Sequence, residues 1–404
     1  MEKIKVLSIP ADQSGIGYYR SILPHATLNE LFNDKMDVTI DFQPDMANIN
    51  QYDIIHFHKD SVSVDLNQMI QKTKGTKTKL VIDLDDYWNL GNYNPLSKTP
   101  GVKERMENTI RLLRMADYVT TTTDLYKNEI KKHNPNVVVL PNSIDPKIPQ
   151  FIPSPTKSKR IRFGLICGSS HEYDIQLLQG LVDKLYSANL LDKIQFVLCG
   201  YDTRGEMIFQ NQQTGEIQRR PITPMESVWY RYEKILTSNF KYMSNNYRQY
   251  LHMFNSSFDY PNVENEYYRR CWTKPVNQYA THYNNIDVLL APLKECDFNK
   301  YKSQLKVIES GFFKKPIIAQ DFGPYTIDIK SYYGKNGVIN KDGNGLLVQS
   351  DKNHKQWFEY IKKIVNNPEI INEMGENLYN TVNPTYSSEE VAKKRYDFYC
   401  EITK

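Results

Sequence analysis

At 404 residues, with 40% hydrophobic and 24% charged side chains, the chain is long enough for two domains, each with its own core. The 51 basic and 47 acidic residues leave a formal net charge of +4, which implies neither a polyanion nor a membrane surface as partner. Five scattered cysteines without metal-type spacing read as reduced thiols. No segment approaches a membrane span, and the apolar start MEKIKVLSIPADQ is too short for a signal peptide. A cytoplasmic protein is therefore expected. The 29 tyrosines, with abundant Asn, Lys and Ile, fit an AT-rich genome, that of a low-GC bacterium or its phage, in which case the host cytoplasm is meant.

The first half alternates strand and helix signals, the mark of a parallel sheet with crossover helices. Strands are expected at Ile4–Ile9, Val38–Phe42, Ile54–Phe57, Leu80–Leu84, Tyr118–Thr122 and Val137–Leu140. Helices are expected at Tyr18–Leu31, Val62–Thr73 and Gly101–Met115, and the Pro- and Lys-rich stretch Pro146–Lys159 reads as a linker. The second half restarts with a strand at Ile161–Cys167, a glycine turn, a helix from about Asp174 and a strand at Ile194–Gly200. Alternation then fails from Asp202 to Glu264. This stretch reads as an insertion with helices near Pro224–Lys234 and Asn245–Phe254. Trp229, Tyr230 and Tyr232 within it can stack on a glycan, or the two helices can simply pack on each other. Alternation returns at Ile286 and continues to a Gly345–Val348 strand, a Lys355–Asn366 helix and a final Ser388–Thr403 helix.

The segment Ile286–Tyr325 holds the most chemistry. An apolar strand is followed by a charged loop and an expected helix over Lys302–Phe313, with Ser303, Lys306 and Glu309 on one face. Two lysines, a hydroxyl and helix-start amides beside a carboxylate suit a nucleotide-sugar: cations for the diphosphate, the carboxylate for ribose hydroxyls. Residues just after strands deserve the same scrutiny. Ser14-Gly15-Ile16-Gly17 opens a helix after the first strand, and Gly15 and Gly17 offer either amide contacts to a ligand or a plain tight turn. Arg20 is a phosphate clamp or a salt-bridge partner. His56 and His58 lie on one strand with no third ligand nearby in sequence, so a zinc site is not expected. Asp83-Leu84-Asp85-Asp86 contains the Asp-x-Asp pattern that binds a divalent cation in single-sheet GT-A glycosyltransferases, but two Rossmann-like halves do not fit that fold. Asp85 and Asp86 are read instead as lining a cleft, with no metal required. Gly168-Ser169-Ser170-His171 follows the first strand of the second half, where serine hydroxyls and amides can hold phosphate and His171 can add a donor; Asp174 is read as a helix cap. Tyr201, after the next strand, faces the base or packs within its domain.

Pro292, Glu295, Asp297, Phe298, Glu309-Ser310 and Lys315-Pro316-Ile317-Ile318-Ala319 resemble the nucleotide-binding motif of GT-B glycosyltransferases, specifically the retaining family 4 group. Pro141-Asn142-Ser143-Ile144-Asp145, Gly345–Val348, Trp357, Asn367-Pro368, Met374-Gly375 and Tyr386-Ser387 extend the likeness from about Ile4 to Thr403, outside the insertion. Two features depart from the family. Tyr301 replaces the first of its paired glutamates, and the usual Arg and Lys after the first strand of the second domain are missing. Asn299-x-x-Lys302-Ser303-x-x-Lys306-x-x-Glu309 and Gly-Ser-x-x-His-x-x-Asp look like a bacterial surface-polysaccharide and phage subgroup.

The resemblance implies a GT-B fold: a Rossmann-like, acceptor-side domain over residues 1–150, a nucleotide-sugar-binding domain over 160–387 with an insertion at 202–264, and a helix, 388–404, returning to the first domain. It implies transfer of a sugar from a nucleotide-sugar, UDP- or GDP-linked, to an acceptor hydroxyl with retention, without cofactor or metal. Lys302, Lys306 and His58 are the expected catalytic residues. Glu309, Ser303, Asn299, Gly168, Ser169, Ser170, His171 and Tyr201 are expected to bind the donor, and Gly15, Gly17, Arg20, Asp85 and Asp86 to line the acceptor side. A glycan, a lipid-linked sugar or another hydroxyl compound is the expected acceptor, with a modified phage DNA base less favoured, and the insertion is a candidate homo-oligomer contact. The rival readings are a GT-B-like nucleotide-sugar epimerase and a non-catalytic nucleotide-sugar-binding module.

Overall fold

The computed structural model describes residues 2–61, 65–210, 213–334, 337–349 and 354–404. Six strands in the first half, β1 (Ile4–Ile9), β2 (Met36–Ile40), β3 (Ile54–His58), β4 (Lys79–Leu84), β5 (Tyr118–Thr121) and β6 (Val137–Val139), form one all-parallel sheet in the order β2-β1-β3-β4-β5-β6. In the second half β7 (Ile161–Ile166) and β8 (Ile194–Tyr201) are followed by a hairpin, β9 (Glu206–Gln210) and β10 (Ile217–Pro221). Then come β11 (Tyr268–Trp272), β12 (Val288–Ala291), β13 (Ile317–Gln320) and β14 (Gly345–Val348), giving a second parallel sheet in the order β11-β8-β7-β12-β13-β14. Helices cover both faces of each sheet, so the strands read as apolar runs; every residue of β12, for example, is buried. In both sheets the strand order reverses beside the first strand, at β1/β3 and β7/β12, which opens a crevice at the carboxyl ends.

Several expected elements differ in detail. The Tyr18–Leu31 helix begins instead as a π-turn, Tyr18–Ile22, and becomes α-helical over Leu23–Phe32. Pro24 has no N–H to give the Arg20 carbonyl, and the Leu23 amide reaches back to Tyr18 instead. The Val62–Thr73 helix is seen as Leu66–Thr73, capped by Asp65, with residues 62–64 outside the described part. The Lys302–Phe313 helix breaks into a turn, Asp297–Lys300, and a helix, Leu305–Phe312, so Lys302 and Ser303 lie in the connection between them.

The stretch Asp202–Glu264 is less of an insertion than its sequence suggests. Helix Val228–Thr237 buries Trp229, Tyr232 and Leu236 in the second core, and helix Asn245–His252 adds Tyr247, Tyr250 and Leu251. The chain then returns as β11, parallel to β8. The unit is a β-α-β crossover from which the β9–β10 hairpin projects, pairing with no strand but its own partner. Tyr232 is therefore a core residue, and Trp229 is packed in the same core while still bordering a cavity at the ends of β7 and β8. β11 escaped the sequence pattern because of its charge: Arg270, inside the strand, is fully buried against Glu233 at 2.7 and 3.0 Å.

The last helix, Ser388–Ile402, lies on the first domain, where Phe398, Tyr399 and Ile402 join Val6, Leu28 and Val81 in one apolar cluster.

Candidate functional site

Three adjoining cavities run along the crevice between the sheets. An outer one of about 620 Å³ belongs to the second domain alone and sits at the ends of β7, β8 and β11, among Gly168, Ser169, Gly200, Asp202, Trp229 and Thr273. Gly200 has φ +101°, and a Cβ there would lie 2.4 Å from the Cys167 carbonyl oxygen, so glycine permits the close approach of the two strand ends. A central cavity of about 500 Å³ is walled by both domains, with Gly15, Tyr19, Asp85 and Asn142 facing Ser170, His171, Lys274 and Ser303. A third, of about 280 Å³, lies mainly on the first domain, where Asp86, Tyr87 and Trp88 face Phe298 and Lys302. Gly168 and Tyr279 border both outer and central cavities, while Ile16 and Ser170 border both central and first-domain ones. The three form a continuous trough.

On the second-domain side, the Leu305–Phe312 helix carries Lys306. Lys306 is half-buried and makes no hydrogen bond or salt bridge with any described residue. Burial lowers the pKa of its ammonium, and Lys302 adds to this, while Cys167, Asp174 and Glu309 oppose. It stands close enough to His171 to depress that ring's pKa, which burial and Lys306 together push down to about 4. Asp174 takes the His171 Nδ1 at 2.7 Å, and also the Lys294 amide and the Asn299 side chain. This corrects two expectations. Asp174 staples two loops and does not cap its helix. The neutral His171 ring, donating through Nδ1, offers the cavity an Nε2 acceptor and not a donor.

Glu309 is buried one turn beyond Lys306, and both its oxygens accept tyrosine hydroxyls: Tyr19 from the first domain at 2.5 Å, Tyr283 at 2.9 Å. Burial raises its pKa to about 7 against those hydrogen bonds and Lys306. Glu309 thus stands directly behind Tyr19, which walls the central cavity. Lys302 faces the first-domain cavity, 3.8 Å from Asp86. Ser303 lines the central cavity and accepts a hydrogen bond from Asn142 at 3.1 Å. Asn299 and Tyr201 are not exposed to the trough. The Asn299 amide is spent on Asp174 and the Lys294 carbonyl. Tyr201 is fully buried against the Arg270 guanidinium, so it packs within its domain and cannot face a base. Tyr301, where a glutamate was expected, reaches into the first-domain core between Tyr87 and Tyr126 and donates to Glu129 at 2.9 Å.

On the first-domain side, the Asp12 carboxylate accepts the amides of Ser14 and Gly17. A Cβ at Gly17 would sit 1.8 Å from the Asp12 carbonyl oxygen. Gly17 is therefore required by the turn, whereas Gly15 borders the central cavity with open space around it. Arg20 is buried in a bidentate pair with Asp83, at 2.9 and 2.7 Å, and also donates to Leu140 and Asn142. With these partners it braces the cavity floor and is not a phosphate clamp. The same pair consumes Asp83, and among the described residues no group of three or more His, Cys, Asp or Glu side chains converges in a metal-type cluster. His58 is fully buried: Nδ1 accepts the Asp60 amide and Nε2 donates to Asp85 at 2.9 Å. The imidazole holds Asp85 and does not itself reach the cavity. Asp85 does reach it. Burial, which raises its pKa, is outweighed by His58, Lys59 and Arg20, so the carboxyl sits well below the usual range. Asp86 borders the first-domain cavity.

Two cavity residues carried no sequence signal. Lys274 follows β11, the strand hidden by its arginines, and lines the central cavity with its ammonium on Thr281. Tyr279 separates the outer and central cavities. Position after a strand end would have marked Lys274 had β11 been legible.

No protein-family model matches the sequence, and no curated protein matches it. Solved structures do share its architecture. A sucrose-phosphate synthase from Thermosynechococcus elongatus aligns with a TM-score of 0.64 at 12% identity over 99% of both chains. The Anabaena protein HepE, solved with UDP and glucose, aligns at 0.62 and 10% identity, over 99% of this chain and 100% of that one. A glycosyltransferase from Rickettsia africae aligns at 0.57 and 14% identity over 100% of both. At such identities the likeness is one of fold: two Rossmann-like domains in the GT-B arrangement. Among the described residues, no helix is long and apolar enough to cross a membrane.

Proposed function

We propose that the protein is a glycosyltransferase that moves a sugar from a nucleotide-sugar to an acceptor hydroxyl, with retention and without a metal. The observation that carries this reading is the half-buried Lys306 ammonium, unpaired among the described residues, beside the Gly168–Ser170 loop of a GT-B cleft. A cation held without a partner in a partly desolvated site is matched by an anion that arrives with the substrate. The nucleoside occupies the outer cavity. Its diphosphate lies along Gly168–Ser170 toward Lys306 and Lys274, and its sugar fills the central cavity under Asp85.

The work of this arrangement is electrostatic. Fixed cations and amides stabilise charge on the departing diphosphate as the sugar takes on oxocarbenium character. Asp85, held ionised by His58, is too weak a base to take the acceptor proton. Glu309 takes the ribose hydroxyls in exchange for the Tyr19 hydroxyl and is occupied by them. The leaving diphosphate oxygen therefore accepts that proton, which supports retention. Five free cysteines fit the cytoplasm.

A panel of UDP-, GDP- and ADP-linked sugars, assayed for thermal stabilisation and slow hydrolysis, tests the reading. Stabilisation by at least one donor with release of free sugar is expected. A donor interconverted to its epimer without acceptor would establish the epimerase instead, and binding without any turnover the non-catalytic module.

A further inference from the structure

The first-domain cavity has a character of its own. At about 280 Å³ it is at the small end for organic ligands, with room for about one ring. One wall is apolar: Tyr87 and Trp88 meet at 4.6 Å with their planes tilted by 48°, and Trp88 is almost wholly buried, so the corner is rigid. The rest of the lining is largely polar, with Lys59, Arg105 and Lys302 beside Asp60 and Asp86, and Arg105 donates to Thr99 at 2.9 Å. Lys59 pairs with Asp60, and Lys302 stands 3.8 Å from Asp86. The Asp86 backbone is pinned by the Tyr126 hydroxyl at 2.8 Å, while its side chain stays 38% exposed and free to accept hydrogen bonds.

We propose that this cavity seats the terminal ring of a carbohydrate acceptor, with Asp86 accepting one of its hydroxyls. The proposal rests on the glycosyl-transfer reading and names the acceptor class. A pyranose has an apolar C–H face and a rim of hydroxyls, and the cavity presents an aromatic corner beside a carboxylate. A nucleic acid requires a run of cations tracking its phosphates; here Lys59 and Lys302 each face an aspartate, and Arg105 is the single lining cation that meets no carboxylate among the described residues. Ile16 and Ser170, shared with the central cavity, place a ring seated here beside the sugar to be transferred. Leu96, 52% exposed at the rim, continues the apolar surface outward for the rest of the acceptor.

The test uses the full chain with the donor found active in the panel. Methyl glycosides of glucose, galactose, N-acetylglucosamine and glucuronic acid are offered beside a hydroxymethylcytosine-containing oligonucleotide and a serine peptide. At least one glycoside should raise donor turnover above hydrolysis and show saturation-transfer contacts with the protein alone, while oligonucleotide and peptide stay inert. Asp86→Asn should raise the acceptor KM by about tenfold, the worth of one charge-assisted hydrogen bond, and leave donor KM and donor hydrolysis within about twofold. Asp60→Asn, also at the surface of the cavity, gives a second variant should the first fold poorly. Transfer to the oligonucleotide or peptide with every glycoside inert overturns the proposal. So does an unchanged acceptor KM in both variants while the donor is still hydrolysed. Absence of donor binding instead fails the glycosyl-transfer reading, and this proposal with it.

Discussion

Lys306, Glu309 and Asp85 each have a different electrostatic task. Lys306 meets no described partner, so its removal should cost little stability and much affinity. Lys306→Ala is expected to weaken binding of the active nucleotide-sugar by about 1.5–3 kcal/mol, roughly ten- to a hundredfold, with an unchanged melting temperature. Calorimetry on the folded variant checks this, and unchanged affinity would remove Lys306 from the site. Glu309 behaves in the opposite sense. Its pKa of about 7 lies above the usual 4.5, so the folded protein binds a proton that the unfolded chain has released. That contribution to stability is fully present below about pH 4.5 and is lost as pH rises through 7. Glu309→Gln should therefore flatten the loss of stability between pH 5 and 8 seen in denaturant titrations, and weaken nucleotide binding. Tyr19→Phe removes only the competitor for the carboxylate, so it should leave nucleotide affinity equal or higher. A Tyr19→Phe variant that binds as poorly as Glu309→Gln would mean that the hydroxyl itself contacts the ligand.

Between elements, the short segment from Tyr301 to Glu309 deserves its own account. Tyr301 reaches Glu129, Lys302 faces Asp86, Ser303 meets Asn142 and Glu309 meets Tyr19. All four contacts cross from the second domain to the first. A ligand that moves this segment must alter the fit of the two domains. The hairpin and the helix that follow β8 offer a contrast. The β9–β10 hairpin is exposed, with Ile208 and Ile217 more than half accessible. Replacing Glu206–Pro221 with a short Gly-Ser turn should shift the melting temperature by only a few degrees. Trp229→Ala, one element later, should cost about 3–5 kcal/mol because it opens a hole in the second core. Denaturant melts of the two variants distinguish hairpin from core. Removal of all of Asp202–Glu264 would also delete Glu233 and leave Arg270 buried without its carboxylate, so that variant should not fold.

For the molecule as a whole, the trough passes from one domain to the other, lined by Asp85, Lys274 and Lys302. Asp83, the first carboxylate of the Asp-x-Asp pattern, is held by Arg20 and Thr120, and Asp85 by His58. Transfer should therefore persist in EDTA at about its full rate, measured as product formed from the active donor. Loss of activity with rescue by manganese would assign the diphosphate to a cation. The buried Arg20–Asp83 pair ties β4 to the turn after β1 at the base of the cleft. Breaking it with Asp83→Asn should destabilise the first domain by about 3–5 kcal/mol, visible as a lower denaturant midpoint.

The sequence by itself determined the two α/β halves, because strands covered on both faces must be continuous apolar runs, and such runs are local. It also placed Ser303, Asp85 and the Gly168–Ser170 loop at the cleft, since residues that follow parallel strands end there wherever the helices pack. Tertiary structure alone decided which polar groups face that cleft. His58, Asn299 and Tyr201 have the right chemistry near the strand ends. Each is turned inward by a partner elsewhere in the chain: Asp85, Asp174 and Arg270. Tertiary pairing likewise hid β11, whose Arg270 is buried only because Glu233, 37 residues earlier, neutralises it. A buried charge is stable only with its counter-charge, and no local pattern shows where that counter-charge comes from.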